Sequence, residues 1–371
     1  MSTIAHVTSV HFVYDNRIFE KMCKSSLKVF DTVFLVATNT ETQNVSGINI
    51  VSVNVPKLRV FRSIFGSLRV ILAALKLKAD VYHLHDPELL LWKFLLERTG
   101  AVVIYDMHEN VPKQILTKPW VPLYFKKPLS NLWKFTERLL ARKTPVIFAE
   151  NSYYEDYRWA SSHETILNLP ILSNLLQIET NYGLSNSVAY VGRVAPKRGS
   201  VVTLKALGLL KKNGLDLEFV CIGGMSEQHK TELLELAQEL DVSLSLNGFM
   251  KSIDALTLAS KSKVGLSVLS KTGNYEHSYP TKIFEYMAIG LPVICSDIKL
   301  HSDIVLGSNC GLAVDPENVE ELAKAIKAIV EDRSLANEMS ANGKSAVVRN
   351  YDWAIEEKKL INFYKVQCKI I

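Results

Sequence analysis

The sequence predicts an α/β protein of two consecutive Rossmann-like, doubly wound domains, and three observations predict it. The chain has 371 residues, more than one hydrophobic core readily fills, because single domains run to roughly 100–200 residues. Short β-branched runs alternate with helical patterns along most of its length, the mark of βαβ units and parallel sheets. A polar stretch at 172–187, LSNLLQIETNYGLSNS, interrupts that alternation and reads as a linker, after which a second series starts.

In the first series IAHVTSV (4–10) is followed by a helix from about Arg17, then TVFLVA (32–37), NIVSV (49–53), a helical stretch at 63–78, DVYHLH (80–85), a helix after Pro87, AVVIYD (101–106), PVIFAE (145–150) and TILNL (165–169). The second comprises SVAYVG (187–192), DLEFVCIG (216–223), VSLSLNG (242–248), KVGLSVL (263–269), PVICSD (292–297) and CGLAVD (310–315), separated by helical patterns. The expected domains are therefore 1–170 and 186–350, with a last helix at 351–371 packing back on the first. Open parallel sheets bind ligands outside the carboxyl ends of their strands, so two such domains facing across a cleft would place a site there.

Composition is that of a packed globular protein, 48% hydrophobic and 22% charged, which excludes disordered and fibrous classes. Five scattered cysteines form no C-x-x-C pair, pointing to a reducing compartment without a disulfide or zinc framework. The amino terminus lacks a leader pattern and no apolar run approaches the ~20 residues of a membrane span; a cytoplasmic protein is expected. Residues 1–165 carry 21 Lys and Arg against 15 Asp and Glu. Basic faces in SIFGSLRVILAALKLK (Arg62, Arg69, Lys76) and PLSNLWKFTERLLARK (Lys134, Arg138, Arg142), the latter preceded by KPWVPLYFKK, suit the inner face of an anionic membrane. The sequence contains no recognisable nucleic-acid module, so nucleic acid is not expected as a partner.

The chemistry-bearing residues follow strand ends. GRVAPKRG (192–199) joins a strand to a helix: Gly192 permits close backbone approach, and Arg193, Lys197 and Arg198 place permanent charge beside a helix amino terminus, a combination suited to a diphosphate. In YPTKIFEYMAIGLPVICSD (279–297), Thr281 reads as the cap of a short helix ended by Gly290 and Pro292. Glu285 lies one turn further on the same face, where a carboxylate accepts two ribose hydroxyls. Gly223, Gly224 and Gly248 serve strand-to-helix turns. In the first half, HLHDPELL sets His83 and His85 on one strand face with Asp86 at its end, and YDMHEN sets His108 and Glu109 at the next strand end. HFVYDNRIFEK offers Asp15, Asn16 and Arg17, with Asp15 or Asn16 also fitting a helix cap.

GRVAPKRG and FEYMAIGLPV together, with RIFEK, HDPELL, YDMHEN and TILNLP, resemble glycosyltransferase family 4, the group 1 glycosyltransferases of polysaccharide biosynthesis. The resemblance implies a GT-B fold and a retaining, metal-independent hexosyl- or N-acetylhexosaminyl-transferase. Such an enzyme moves a sugar from a UDP- or GDP-sugar to a lipid-linked or glycan acceptor and needs no cofactor. It implies donor contacts from Arg193, Arg198 or its neighbour Lys197, Gly192, Thr281 and Glu285, with Lys282 supplying a further phosphate contact. It also implies a catalytic strand-end His108. The strand-end positions themselves suggest Asp86 beside it and Asp15, Arg17, His85 and Glu109 toward the acceptor, the Asp15–Arg17 loop standing where the family often has a Gly-Gly loop. The sequence departs from the family at position 277, where His277 stands for the usual Glu that touches the transferred sugar. That departure keeps open a non-catalytic nucleotide-sugar-binding protein; a non-hydrolysing nucleotide-sugar epimerase is the other alternative, and the two motifs oppose it.

Overall fold

The computed structural model describes residues 2–56, 61–118, 121–180 and 183–369, and of Arg62, Gly273 and Asn274 only the backbone. The chain divides into two compact units, Met1–Asn168 with Trp353–Ile371, and Leu169–Asp352.

The first unit holds an eight-stranded sheet: β1 (Thr3–Val7), β2 (Thr32–Thr38), β3 (Gln43–Val45), β4 (Ile48–Val53), β5 (Val81–Leu84), β6 (Val102–Met107), β7 (Val146–Phe148) and β8 (His163–Thr165). Their order across the sheet is β3-β4-β2-β1-β5-β6-β7-β8, and every pairing is parallel except that of β3 with β4. The order reverses between β1 and β5, so the crevice at their carboxyl ends is the place such a sheet offers a ligand. Strands β1, β5 and β6 are buried nearly throughout, as parallel strands covered on both faces must be. Strand β3 lies outside the predicted series because it is short, polar and largely exposed. What makes it is the turn before β4, where Ser46 and Gly47 take φ of 53° and 83°, the left-handed pair that closes a tight hairpin.

The helix Trp353–Cys368 belongs to this unit. Leu360, Phe363 and Tyr364 are buried, the Trp353 indole donates to Ser25 Oγ at 3.2 Å, and Glu356 accepts from the Leu167 amide at 2.8 Å. On the Ser67–Leu75 helix Val70, Ile71 and Ala74 face inward, whereas Leu72, and Ile64 ahead of the helix, are exposed.

The second unit is a wholly parallel sheet of β9 (Ser187–Val191), β10 (Glu218–Ile222), β11 (Leu244–Leu246), β12 (Val264–Ser267), β13 (Val293–Ser296) and β14 (Gly311–Val314), ordered β11-β10-β9-β12-β13-β14. Its switch point lies between β9 and β12. The core combines strand residues such as Val188, Phe219 and Leu266 with Leu204 and Leu207 of the Ser200–Lys212 helix and Leu322 and Ile326 of the Val319–Glu331 helix. The expected linker is shorter than the polar stretch suggests. Its first half forms the helix Leu172–Leu175, and Leu172, Leu175 and Ile178, spaced by three, are buried within this unit.

Candidate functional site

At the switch point of the second unit, β9 leads into Gly192 and the loop continues through the turn Pro196–Arg198 into the Ser200–Lys212 helix. Gly192 has φ 125° and Gly223, at the end of β10, has φ 146°; a Cβ on Gly223 would sit 1.9 Å from the Gly192 carbonyl oxygen. Only glycine lets these two strand ends close on each other. The Gly192 amide donates to Ile222 O at 2.8 Å and the Val194 amide to Gly224 O at 3.0 Å, leaving a narrow floor walled by side chains.

Lys282, the second residue of the Thr281–Ala288 helix, reaches over that floor. Its stem is partly exposed, but Nζ is buried without a hydrogen-bond partner among the described residues. Nζ stands 3.8 Å from the centroid of the Tyr190 ring and 3.6 Å from where a Cβ on Gly192 would lie. Burial first, then repulsion from Arg198, brings this ammonium down to about 7, against the opposing pull of Glu285. A buried cation lacking an acceptor is costly, and an anion on the Gly192 floor would supply one. Arg198 is held half-buried by Tyr275, with Nε 3.3 Å from the Tyr275 hydroxyl and its guanidinium 5.4 Å from the ring centroid. The Tyr190 hydroxyl is anchored on Arg193 O at 2.9 Å.

Arg193 and Lys197 are exposed, as is His277, while Thr281 and Glu285 are partly buried. Thr281 is the first helical residue and not the cap. Pro280 holds the cap position in an extended conformation, and no side chain among the described residues caps this end; the Ile283 amide bonds back to Pro280 O at 2.9 Å, so only the Thr281 and Lys282 amides lie ahead of the helix's own bonding. Beneath them Tyr286 fixes the helix to the sheet, its hydroxyl accepting from the Val191 amide at 2.8 Å and donating to Leu266 O at 3.3 Å.

The switch point of the first unit gathers imidazoles and carboxylates. Asp106, fully buried near the end of β6, binds Arg17 through Nε at 3.1 Å and a terminal nitrogen at 2.8 Å, His108 Nε2 at 2.5 Å and His85 Nδ1 at 3.2 Å. Burial favours the protonated acid, but the Arg17 charge and the His108 contact overcome it and hold Asp106 well below the usual carboxylate range. The network runs inward from His85 Nε2 to His6 Nδ1 at 3.0 Å and from His6 Nε2 to Ser26 Oγ at 2.9 Å; His83 Nδ1 meets the Tyr364 hydroxyl at 2.8 Å. Burial lowers the pKa of His6, His83 and His85, so these rings are neutral.

Beside this cluster stands a second carboxylate–imidazole pair. Asp86 accepts from the Ser9 amide at 2.5 Å and Thr8 Oγ1 at 2.8 Å and contacts His11 Nδ1 at 2.8 Å. Burial opposes charge on both partners; the bond and mutual attraction prevail, raising His11 to about 9 and lowering Asp86 to about 2. The His11 and His108 rings lie 5.0 Å apart.

Several residues expected to face a substrate are placed otherwise. Arg17 is 4% exposed and Asp86 2%: the first neutralises Asp106, and the second anchors the loop 8–11. His85 is 1% exposed and lies beneath His108. Asp15 caps the wide-turned helix Asn16–Cys23, accepting from the Arg17 and Ile18 amides. Glu109 is exposed, and Asn110 instead caps the Val111–Thr117 helix. His108 alone of these combines a network position with partial exposure, its side chain 12% accessible. Two triads, His6–His83–His85 and His85–Asp106–His108, bring ligand-type atoms within 4.8 Å of one another and could hold a metal ion. Asp86 belongs to neither. Tyr190, Asp106, His6 and His11 escaped the sequence reading; the parity of His6 on β1 with His83 on β5, directly paired in register, was the available signal.

Residues 175–346 match the family model described as glycosyl transferases group 1. The chain is 25% identical over 191 residues to an alpha-D-kanosaminyltransferase of Streptomyces kanamyceticus, covering 51% of this chain and 48% of that protein. It is 27% identical over 180 residues to a phosphatidyl-myo-inositol mannosyltransferase of Mycolicibacterium smegmatis, covering 48% and 45%. The chain thus spans about half the length of these curated relatives. Among solved structures, sucrose-phosphate synthase from Thermosynechococcus elongatus superposes with a TM-score of 0.76 over 99% of both chains at 15% identity, a likeness of fold. Residues 175–346, nearly the whole of the second unit, thus match the glycosyl transferases group 1 family, and the chain shares its fold with GT-B glycosyltransferases.

Proposed function

We propose that this chain is a retaining, metal-independent glycosyltransferase that moves a hexosyl or N-acetylhexosaminyl group from a UDP- or GDP-sugar to a lipid-linked or glycan acceptor. The observation that carries the reading is Lys282 Nζ, buried without a hydrogen-bond partner among the described residues above the Gly192–Gly223 floor. Around it Arg198, Arg193 and Lys197 supply further charge for a diphosphate, the amino terminus of the Thr281–Ala288 helix adds a dipole of the same sign, and Glu285 accepts the ribose hydroxyls. The family match of this unit supports the same assignment. Cleavage of the bond from the sugar C1 to the phosphate oxygen leaves charge on the diphosphate, which these groups stabilise. The acceptor oxygen bonds to C1 from the same face and its proton passes to the leaving phosphate. His108, oriented by Asp106, contacts the sugar, and the neighbouring His11 imidazolium adds positive charge.

The test is release of nucleoside diphosphate from UDP- and GDP-sugars by purified protein, with the product anomer read by NMR. Turnover with retained configuration supports the proposal; inversion contradicts it. His108→Ala is expected to lower kcat at least 100-fold with little change in KM, and equal effects on both would remove its catalytic role. Prolonged treatment with a chelator is expected to leave turnover intact, and a loss restored by added divalent metal would shift the chemistry to the histidine triads. His277, exposed at the position of the family's sugar-binding Glu, favours one other reading, a nucleotide-binding protein without turnover, which tight nucleotide binding with no release from any donor would establish.

A further inference from the structure

The helix Leu123–Ala141 carries an apolar stripe opposite the side by which it is held. That side is seated in the first unit through Ser130, Glu137 and Ala141. On the other, Phe125, Leu132, Phe135 and Leu139 are 61%, 61%, 67% and 56% exposed, and with Pro128 they recur at intervals of three and four, a continuous outward stripe. Tyr124, 81% exposed, extends it at the amino end. Isolated exposed leucines need no explanation, but a contiguous stripe marks a surface that is covered in use.

Charge identifies what covers it. From Lys118 to Lys143 the sequence has seven Lys and Arg and a single acid, Glu137, which is 1% exposed. Lys127, Lys134, Arg138 and Arg142 border the stripe on one flank by their helical positions. Against that flank opens a groove of about 580 Å³ lined by Lys134, Phe135, Arg138, Arg158 and Trp159. The Trp159 indole nitrogen is buried there without a hydrogen-bond partner among the described residues. Of the two acids on its rim, Asp156 is paired with Lys113 at 2.7 Å and Glu155 is solvated. A second copy of this face would bring the same cations against each other, so self-association is disfavoured. An anionic bilayer complements both features, accepting the stripe among its acyl chains and a phosphate headgroup in the groove.

We infer that the Leu123–Ala141 helix lies on an anionic membrane surface, its Phe125–Leu139 stripe inserted and one lipid phosphate held by Lys134, Arg138, Arg158 and the Trp159 indole. Of the two basic faces that the sequence offers to a membrane, the assignment takes that of Lys134, Arg138 and Arg142 and adds to it the apolar stripe and the Arg158–Trp159 groove, leaving aside that of Arg62, Arg69 and Lys76. The Arg62 side chain lies outside the described residues, as do Pro119 and Trp120 of the KPWVPLYFKK segment, and neither Arg69 nor Lys76 enters the assignment.

The experiment is flotation of the full chain with vesicles of phosphatidylcholine and phosphatidylglycerol at 3:1, against phosphatidylcholine alone. Binding is expected only with the anionic vesicles, weakened at least tenfold by Phe135→Ser with Leu139→Ser, and weakened and made less salt-dependent by Lys134→Gln with Arg138→Gln and Arg158→Gln. The substituted side chains are largely exposed, and circular dichroism melting verifies that each variant folds. No binding at low salt, or binding untouched by the Phe135 and Leu139 changes, overturns the inference. So does a concentration-dependent dimer in light scattering that these changes abolish, because it would make the stripe a protein interface. The readout uses no nucleotide and is independent of the proposed transferase activity.

Discussion

Lys282 shows how one residue can report on a ligand. Its ammonium, brought down to about 7 by burial and Arg198, regains its charge when a diphosphate lies beside it, so binding takes up a proton above neutral pH. Nucleoside diphosphate affinity is expected to be level below about pH 7 and to fall as pH rises above it, about tenfold per unit until the bound-state pKa is reached. Titration calorimetry in buffers of different ionisation enthalpy reads that proton directly; a buffer-independent enthalpy at pH 8 would remove Lys282 from the phosphate. The His11–Asp86 pair gives a stability signature of opposite origin. His11, raised to about 9 from 6.5, contributes stability that is complete below pH 6.5 and lost as pH climbs toward 9. Asp86, lowered to about 2 from 3.8, contributes stability present above pH 3.8 and lost as pH falls through 2. The unfolding free energy from urea titration should therefore be level from about pH 4 to 6.5 and decline toward pH 9 by on the order of 2 kcal/mol, and His11→Asn should flatten that decline. An unchanged decline in the variant would assign it to other groups.

At the scale of elements, a buried ion pair ties the Asn16–Cys23 helix to β6. Arg17→Ala leaves Asp106 charged or protonated in a site built for an ion pair, at a cost of about 3–5 kcal/mol. Chemical denaturation should show this loss, together with damage to the His108 orientation that Asp106 maintains, and a change under 1 kcal/mol would mean that solvent replaces the guanidinium easily. The sequence suggests Arg17 as an acceptor contact because it stands with Asp15 and Asn16 in a side-chain-rich loop after the first strand. What turned it inward is Asp106, a residue 89 positions away in sequence that no local pattern connects to it. The strands themselves were legible, since continuous β-branched runs such as TVFLVA and SVAYV have one use in a sheet covered on both faces. The Leu172–Leu175 helix was hidden among polar residues because only its inward positions are apolar. The polar β3 carried no pattern beyond its Ser46–Gly47 turn.

For the whole molecule, the division into two sheet-bearing units follows from length and from a repeated βα series, and the carboxyl-end rule led directly to both clusters. The second unit's cradle was the more legible of the two because glycines and a basic loop are local in sequence. The first unit's histidine–carboxylate cluster draws on β1, β5 and the end of β6 and becomes visible only when register pairs His6 with His83. The central claim, that the Gly192–Gly223 floor with Lys282 binds the diphosphate of a nucleotide-sugar, is tested most directly by calorimetric titration of UDP and GDP into the wild-type chain and into Lys282→Ala. The account predicts that one of the two nucleotides binds the wild type and that the substitution weakens it at least tenfold while the fold is kept; binding of neither nucleotide, or binding that Lys282→Ala leaves unchanged, would contradict it.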